Sequence, residues 1–376
     1  MQSKPQAALS VALMVVGAWA SVPSRADPPA QTDRSAAARL DRLVPELMAS
    51  LHVPGVSIAG IENRQLAWTR QYGVRRAGSP EKVDRDTVFE ACSMTKTPFA
   101  YLVLRLVEQG KLDLDKPLAG YLDKPYLADQ PLHKRITARM VLSHTSGFPN
   151  WRKGGWRKGG PLPVLFEPGT RFGYSGEGFL YLQRVVEHVT RTPAQRYVKK
   201  ELFDPLKMTL SSYAWEDRYE KLAAAGHDAK GEVKPNRSLF RRANAGYSLY
   251  TTPSDYARFL VEILKEDRSA AHSLSARSIN AMLTPAVKAT GRKPVQRPDK
   301  PVSDVVHWGL GWPIDKTAAG QRVYHGGSNG TGFRCYCEFD RRRGTGIVIM
   351  TNAVGGEKLW RRVIADVGAP QEEKDR

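Results

Sequence analysis

The stretch from Val88 to Leu106 constrains the fold of this chain more than any other. An apolar, strand-like approach leads into Ser93, and a helical pattern of apolar residues follows it. Ser93 stands where a helix N-cap would, and Pro98 falls in the first turns, where a missing N–H costs little. Residues three apart are neighbours on a helix surface, so we expect the Ser93 hydroxyl beside the Lys96 amine. The stretch therefore predicts a nucleophile next to a base.

The chemistry of such a pair depends on its location. An alcohol is a poor nucleophile until a base takes its proton, and lysine accepts a proton only as the neutral amine. Burial and the positive end of the helix dipole both disfavour the ammonium form. The helix terminus also points backbone N–H groups at an oxyanion, which stabilises the tetrahedral intermediate of acyl transfer.

Ser-x-x-Lys alone is weak evidence, and the chain holds a second copy, Ser79-Pro-Glu-Lys82. That copy sits in a Gly/Pro turn with no apolar helix after it. We interpret it as accidental.

The N-terminal segment, residues 1–26, is typical of a secretory signal. It has Lys4, an apolar run from Ala7 to Ala20 and a small-x-small end at Ser24-Arg25-Ala26. We therefore expect a periplasmic or secreted protein with its folded domain at 37–376. The apolar run is too short to span a bilayer stably, and no later segment is apolar enough, so no integral membrane segment is expected in the mature chain.

The formal charge of the chain is +19, or +17 without Lys4 and Arg25. A net positive charge of this size is compatible with binding to nucleic acid, to an anionic cell envelope or to an anionic substrate. The basic residues are scattered among acidic ones and no nucleic-acid motif accompanies them, so we expect a solvated surface and no nucleic-acid partner. The eight histidines are isolated from one another, so the sequence shows no metal-ligand spacing. We expect the protein to work without a metal or organic cofactor.

The cysteines predict no disulfide framework. Cys335 and Cys337 lie two apart in a strand-like run, so their Cα atoms are roughly 6.6 Å apart on one face, too far for an easy bridge. Cys92 is expected to be a small buried apolar residue rather than a nucleophile.

Hydrophobic periodicity predicts the fold. A helical pattern at 39–51 and a hairpin at 56–61 and 66–72 open the chain. Strand signals return only at 309–314, 323–324, 332–339 and 347–351, before a final amphipathic helix. The expected class is α+β, an α/β sandwich in which both chain ends (about 37–92 and 302–370) form one antiparallel sheet flanked by helices. An inserted, mostly helical lobe (about 93–301) would meet this sheet lobe at the Ser93 helix.

Two glycine-rich segments look suited to the same site. The first, Phe172 to Gly178, precedes a helix and presents Tyr174, whose phenol could relay a proton. The second, Tyr324 to Gly330, lies between the last strands. There glycines would let a substrate lie against a strand edge, where a backbone N–H can serve as an oxyanion donor, and His325 would stand at the pocket rim.

A competing interpretation starts from Gly326-Gly-Ser328-Asn-Gly330, which matches a nucleophile elbow. The elbow requires a histidine later in the chain, and none follows His325. This interpretation therefore fails.

An internal repeat, Trp151-Arg-Lys-Gly-Gly and Trp156-Arg-Lys-Gly-Gly, allows two interpretations. It could be a mobile aromatic and cationic flap that touches substrate. It could instead be a slipped duplication in a tolerant surface loop, which we favour.

With these pieces together, the chain resembles the serine β-lactamase-related family, which includes class C β-lactamases, DD-peptidases, D-aminopeptidases and esterases. The resemblance covers nearly all of the mature chain and rests on motifs in the family's order. These are Ser93-Met-Thr-Lys96, Gly110-Lys-Leu-Asp-Leu-Asp115, Leu142-Ser-His-Thr-Ser-Gly147, Tyr174-Ser-Gly176, Gly309-Leu-Gly-Trp312 and His325-Gly-Gly327.

The resemblance implies a role for each matched residue. Ser93 would be the acylated nucleophile, Lys96 its base and Tyr174 the proton relay. Backbone N–H groups of Ser93 and Ser328 would form the oxyanion hole. His325 would stand where β-lactamases carry the lysine of Lys-Thr-Gly. His144 and Thr145 would shape a turn near the site, and Gly176, Gly326, Gly327, Trp151 and Trp156 are the candidate substrate-binding residues.

Two departures from the family pattern bear on activity. Gly176 replaces the asparagine of Tyr-x-Asn, which removes the amide that would hold a substrate amide. His325 replaces a lysine, which weakens the fixed positive charge that a carboxylate would meet. Both speak against efficient β-lactamase activity and leave ester or peptide hydrolysis open.

The sequence therefore predicts an exported serine hydrolase that forms an acyl-enzyme on small carboxyl esters or amides, including D-amino-acid peptides and other cell-wall-derived substrates. One alternative is a penicillin-binding DD-peptidase or β-lactamase that acts on peptidoglycan or β-lactams. Another is a catalytically silent member that binds cell-wall fragments or a protein partner through the 151–160 loop.

Overall fold

An antiparallel sheet built from both ends of the chain forms the frame of the molecule. The computed structural model describes residues 1–2, 36–127, 131–155, 159–235, 239–295, 303–318 and 320–367. The predicted signal segment from residue 3 onward and Trp156 lie outside the described residues.

The α-helices are α1 (Ala36–Leu51), α2 (Lys96–Glu108), α3 (Ala138–Leu142), α4 (Gly176–Thr190), α5 (Ala194–Val198), α6 (Tyr219–Leu222), α7 (Pro253–Leu264), α8 (Ala276–Met282) and α9 (Gly356–Val367). The strands are β1 (Gly55–Glu62), β2 (Gln65–Gly73), β3 (Phe89–Glu90), β4 (Tyr250–Thr251), β5 (Val287–Lys288), β6 (His307–Trp308), β7 (Pro313–Thr317), β8 (Gly320–Ser328), β9 (Arg334–Asp340) and β10 (Thr345–Thr351).

The main sheet has the order β2-β1-β10-β9-β8-β7-β6-β5, and its neighbouring strands pair antiparallel. The N-terminal hairpin thus joins the C-terminal strands through β1 and β10, which confirms the α+β prediction. Strand β5 also belongs to this sheet and extends it into the segment predicted to be helical. Strands β3 and β4 form a separate two-stranded sheet.

Helices cover both faces of the sheet, so β1 is buried nearly throughout. Successive side chains of a strand point to opposite faces. Accordingly Val56 and Ile58 pack in one cluster with Leu40 of α1 and Leu359 of α9, whereas Ala59 joins the larger core with α2 and α7. Helix α2 lies within this larger core, and its residues from Lys96 to Leu106 are all buried.

Two predicted strands differ from the observed ones. The segment 309–314 contains a turn between β6 and β7, closed by a 2.8 Å hydrogen bond from the Gly309 N–H to the Trp312 carbonyl. Gly311 has φ +93°, which suits glycine. Strand β8 is longer than predicted, because Gly326 and Gly327 pair with Tyr336 and Cys335 of β9 instead of ending the strand.

Three further properties concern the described part of the chain. None of its helices combines the length and hydropathy needed to cross a bilayer. Within the same residues, no group of three or more histidine, cysteine or acidic side chains is placed to hold a metal ion. The three cysteines are buried free thiols.

Candidate active site

Ser93 lies in a turn between β3 and α2. The sequence predicted Ser93 as a helix N-cap, and this is wrong: Ser93 lies inside a 3₁₀ turn, Cys92–Thr95, and the α-helix begins at Lys96. Cys92 has φ +54°, a left-handed conformation that is uncommon for a residue other than glycine and turns the chain sharply before Ser93. The Ser93 side chain itself is half-buried.

The Lys96 amine lies beside the Ser93 hydroxyl. Its Nζ is 3.3 Å from Ser93 Oγ and donates to the Gly246 carbonyl at 2.5 Å. Lys96 is only 1% exposed, and among the described residues no carboxylate forms an ion pair with it. The amine is therefore removed from water and directed at the hydroxyl.

Tyr174 completes this group on the other side of the amine. Lys96 Nζ lies 4.9 Å from the centroid of the Tyr174 ring. Tyr174 directly precedes Ser175, whose Oγ caps α4 by accepting from the Gly178 N–H at 2.9 Å. The structure thus brings Ser93, Lys96 and Tyr174 together from two helix starts that are far apart in sequence.

His144 holds Tyr174 in place. Its Nδ1 accepts a 3.0 Å hydrogen bond from the Ser175 N–H, and its ring centroid lies 4.2 Å from that of Tyr174. Burial, and then the positive charge of Lys96, lower the pKa of His144 well below its usual value. His144 is fully buried and has φ +55°, as suits a turn that positions its neighbours.

His325 lies in the wall of the site rather than at the predicted rim. It is 2% exposed because the rings of Trp308 and Trp312 pack near it, with centroids 5.8 and 6.5 Å away. Its Nδ1 must donate to the Gly326 carbonyl (2.8 Å), since a carbonyl only accepts, so Nε2 carries the lone pair. Burial, with a further contribution from the charge of Lys96, lowers the pKa of His325 to about 3. The side chain is therefore neutral at neutral pH.

Strand β8 approaches the Ser93 turn closely. Pairing with β7 covers Gly320 to Val323, and the following residues up to Ser328 pair with β9 on their other edge. A Cβ at Gly327 would lie 2.4 Å from the Ala91 carbonyl oxygen, so only glycine allows this approach. The strand end is held by Glu90, whose carboxylate accepts from Asn329 Nδ2 (3.0 Å) and Thr331 Oγ1 (2.7 Å).

Two cavities open on either side of Ser93. The histidine-side cavity, about 340 Å³, is lined by Tyr174, Arg292, Trp308, His325, Gly326, Gly327 and Arg334, among others. The tryptophan-side cavity, about 650 Å³, is lined by Trp151, Phe240, Tyr247 and the segment 328–331, among others. Ser93, Asn150 and Ser328 line both. Another cavity of about 540 Å³ beside Glu90 is not lined by Ser93, so we place no chemistry there.

The first copy of the Trp-Arg-Lys-Gly-Gly repeat is anchored, contrary to the mobile-flap interpretation. The Asn150 carbonyl accepts from the N–H groups of Gly176 (3.0 Å) and Glu177 (3.1 Å) at the start of α4. Arg152 pairs through both Nε (3.0 Å) and Nη2 (2.7 Å) with the fully buried Glu177 carboxylate. Trp151 is thereby fixed against Gly176.

Sequence reasoning missed Asn150 and Arg292. Asn150 follows the Leu142-to-Gly147 motif closely, and that position was the only available signal. The exposed Arg292 lies in a segment without helical or strand periodicity, and its guanidinium reaches 4.8 Å from the Tyr174 ring centroid. Nothing local in the sequence indicates this contact.

Comparison with known proteins supports the assignment of the family. The family model described as Beta-lactamase matches residues 40–369. Protein flp of Staphylococcus aureus (strain N315) is 22% identical over 244 residues, which are 60% of this chain and 47% of flp. D-alanyl-D-alanine-carboxypeptidase/endopeptidase AmpH of Escherichia coli (strain K12) is 24% identical over 246 residues, covering 61% of this chain and 62% of AmpH. The chain thus spans about half to three-fifths of these two relatives.

A solved structure shares the fold. The octameric penicillin-binding protein homologue from Pyrococcus abyssi superposes with a TM-score of 0.73 at 24% identity, covering 90% of this chain and 78% of that one. Because the family model matches most of the chain, the chain belongs to the Beta-lactamase family.

Proposed function

We propose that this protein is an exported serine hydrolase in which Ser93, Lys96 and Tyr174 form and hydrolyse an acyl-enzyme. The observation that carries the proposal is the contact between a 1% exposed lysine amine and a serine hydroxyl, 3.3 Å apart. As part of the same proposal, residues 37–376 form the hydrolase domain, with a sheet lobe and a helical lobe that meet at Ser93.

The mechanism follows from the atoms at hand. As the free amine, Lys96 would keep one N–H on the Gly246 carbonyl and offer its lone pair to the Ser93 O–H. Ser93 Oγ then attacks the carbonyl carbon as Lys96 takes the proton, and the N–H groups of Ser93 and Ser328 stabilise the oxyanion. The proton passes through the Tyr174 phenol to the leaving group, whose bond to the acyl carbon breaks. Water then hydrolyses the acyl-enzyme by the reverse proton path.

The proposed substrates are small carboxyl esters or amides, including D-amino-acid peptides. Gly176 supplies no side-chain amide, and His325 is neutral, so the site lacks two groups that the family's β-lactamases use. The alkoxide of an ester leaves more readily than the amine of an amide or β-lactam, so ester hydrolysis depends less on such groups.

A specific observation favours the alternative of a DD-peptidase or β-lactamase. Arg292, Lys293 and Arg334 line the histidine-side cavity, and among the described residues none of them forms an ion pair. A substrate carboxylate could meet these cations in place of the missing lysine. The relative AmpH carries a carboxypeptidase name, which is compatible with such a substrate.

Hydrolysis of a p-nitrophenyl ester by wild type and Ser93→Ala tests the proposal. We expect at least a thousandfold loss of turnover with an unchanged circular dichroism spectrum. Unchanged turnover would contradict the mechanism. A fluorescent penicillin that labels wild type stably, but not Ser93→Ala, would favour the alternative.

Labelling with a serine-directed phosphonate distinguishes the two enzyme proposals, the esterase or amidase and the DD-peptidase or β-lactamase, from a catalytically silent binding protein. We expect one modified peptide, containing Ser93. No labelling with any such phosphonate would indicate the silent member. Export is tested by mass spectrometry of the mature N-terminus, which we expect directly after Ala26.

A further inference from the structure

We propose that Trp151 occupies the space of the missing side chain at position 176 and makes the tryptophan-side cavity a subsite for an aromatic acyl group. This inference rests on the proposed function, because it concerns the acyl half of the same substrate. It identifies Trp151 and Gly176 as one specificity-determining unit.

The contact between Trp151 and Gly176 leaves no room for a side chain. A Cβ built at Gly176 would lie 2.3 Å from Cζ2 and 2.4 Å from Cη2 of the indole. A Cβ at Gly246 would lie 2.9 Å from the same Cη2. The indole therefore rests on bare backbone at both positions.

Backbone conformation does not explain the glycine at 176. Gly176 is the first residue of α4 and does not have the positive φ that favours glycine. Any L-residue could adopt this backbone, so the space taken by the indole is the reason for glycine here. An asparagine at 176 and the observed position of Trp151 exclude each other.

The indole is held rigidly. Arg152, next to it, is bound through two nitrogen atoms to the buried Glu177 carboxylate, and Arg152 N–H also donates to Glu177 Oε1 at 3.1 Å. On the other side, Asn150 Oδ1 accepts from the Gly176 N–H at 3.1 Å. Little conformational freedom is left to lose when a ligand packs on the ring.

Three aromatic rings form one wall of the cavity. Trp151 packs edge-on against Tyr247 (centroids 5.4 Å apart, 88°), and Tyr247 packs edge-on against Phe240 (5.0 Å, 83°). The segment 328–331 lines the same cavity. A flat aromatic group between this wall and Ser93 would gain ring contacts in place of the hydrogen bonds that an amide at 176 would make.

The position of Tyr174 decides which half of the substrate enters. Tyr174 lines the histidine-side cavity, and the leaving group that it protonates must depart on that side. The acyl group stays attached to Ser93 and takes the other cavity. The aromatic preference therefore concerns the acyl group.

Two esters with the same leaving group test this inference: p-nitrophenyl acetate and p-nitrophenyl phenylacetate. We expect the ratio of kcat/KM for phenylacetate over acetate to fall about tenfold in Trp151→Ala, with Trp151→Phe in between. Gly176→Ala should lower the ratio too, because its Cβ displaces the indole. It should also lower Tm in the wild-type background but not in the Trp151→Ala background.

Trp68→Ala is the matched control, because the Trp68 indole also packs on a glycine, Gly60, but lines neither cavity beside Ser93. This variant should keep the wild-type ratio. An unchanged ratio in both Trp151→Ala and Gly176→Ala, or an equal loss of the ratio in Trp68→Ala, would overturn the inference.

A binding measurement separates this inference from the proposed function. Ligand-observed NMR with Ser93→Ala should show phenylacetamide, but not acetamide, binding, and Trp151→Ala in that background should abolish it. Trp151-dependent binding without Ser93-dependent hydrolysis would refute the proposed function and keep the subsite. If hydrolysis depends on Ser93 but Trp151→Ala changes neither the kcat/KM ratio nor ligand binding, the proposed function is kept and the aromatic subsite is refuted.

Discussion

The two sides of Ser93 are built from different chemistry. The histidine-side cavity is lined by cationic groups such as Arg292, around a histidine that burial keeps neutral. The tryptophan-side cavity is larger and has a wall of three aromatic rings. The histidine-side cavity can attract a negatively charged group, and the tryptophan-side cavity can hold a flat apolar group. Under the proposed function, a substrate that suits both cavities would have an anionic leaving group and an aromatic acyl group.

The two sides also contain the two positions at which the motifs depart from the family pattern. Arg292 lines the same cavity as the neutral His325 and approaches Tyr174 from a different segment of the chain. Over Gly176, an indole from a loop fills the space of a side chain. In both cases the neighbouring group comes from a residue outside the motif.

The largest expected effect comes from the group on which both sides depend. Lys96→Met keeps the buried methylene stem and removes the amine, so turnover should fall about a thousandfold for every ester, whatever its acyl or leaving group. The chain should stay folded, because an apolar side chain replaces a buried polar group. Steady-state kinetics on esters that differ on either side check this. A loss confined to one class of ester would mean that Lys96 serves only one cavity.

The tryptophan side should depend on the pair that anchors its loop. Arg152→Met leaves the Glu177 carboxylate buried without its partner, which should lower the free energy of unfolding by about 3 kcal/mol. The exposed pair of Arg184 and Glu187 (3.1 Å) provides the control, and Arg184→Met should cost less than about 0.5 kcal/mol. Urea unfolding measures both. If both variants lose the same free energy of unfolding, the ion pair of Arg152 and Glu177 does not hold the loop.

The histidine side should respond to charge. With 3-carboxyphenyl and 3-carbamoylphenyl acetate, which share the acyl group, Arg292→Gln should lower the preference for the anionic ester about tenfold, mainly through KM. Added salt should weaken the wild-type preference, since Arg292 is exposed.

Arg361→Gln is the control for Arg292, because its guanidinium already pairs with Glu357 (2.9 Å) and stacks on Trp360 (4.8 Å). A similar loss in this variant would show that the cavity responds to total charge and not to Arg292.

A further effect on the histidine side concerns the pH dependence of stability. An unfolded histidine binds a proton near pH 6.5, whereas the pKa of folded His325 is about 3, so the unfolded state binds more protons between these values. The stabilising contribution is complete above pH 6.5 and is lost as pH falls towards 3, at about 1.4 kcal/mol per pH unit. His325→Gln should reduce the slope by about that amount. Part of the slope should remain in this variant, because the pKa of His144 is also lowered in the folded state.

Urea unfolding at several pH values between 4.5 and 7.5 measures this slope. If the variant keeps the wild-type slope, His325 is not held neutral by the fold.

Local spacing predicted much of the frame and the centre of the site. The hairpin of β1 and β2, the alternation in β9 and the three-residue spacing of Ser93 and Lys96 all follow from backbone periodicity, which acts over a few residues. The errors were also local in origin. The motif Gly309-Leu-Gly-Trp312 suggested a strand but forms a turn, and Ser93 suggested an N-cap but lies in a 3₁₀ turn.

What the sequence alone determined is the set of candidate groups for the reaction: a serine and a lysine one turn apart, a tyrosine before a helix and a glycine-rich strand. Only the tertiary structure decided their environment. The carbonyl that binds Lys96 belongs to Gly246, 150 residues away, and the indole over Gly176 comes from a separate loop. Burial and contact between distant segments arise when the whole core packs, so no local pattern encodes them.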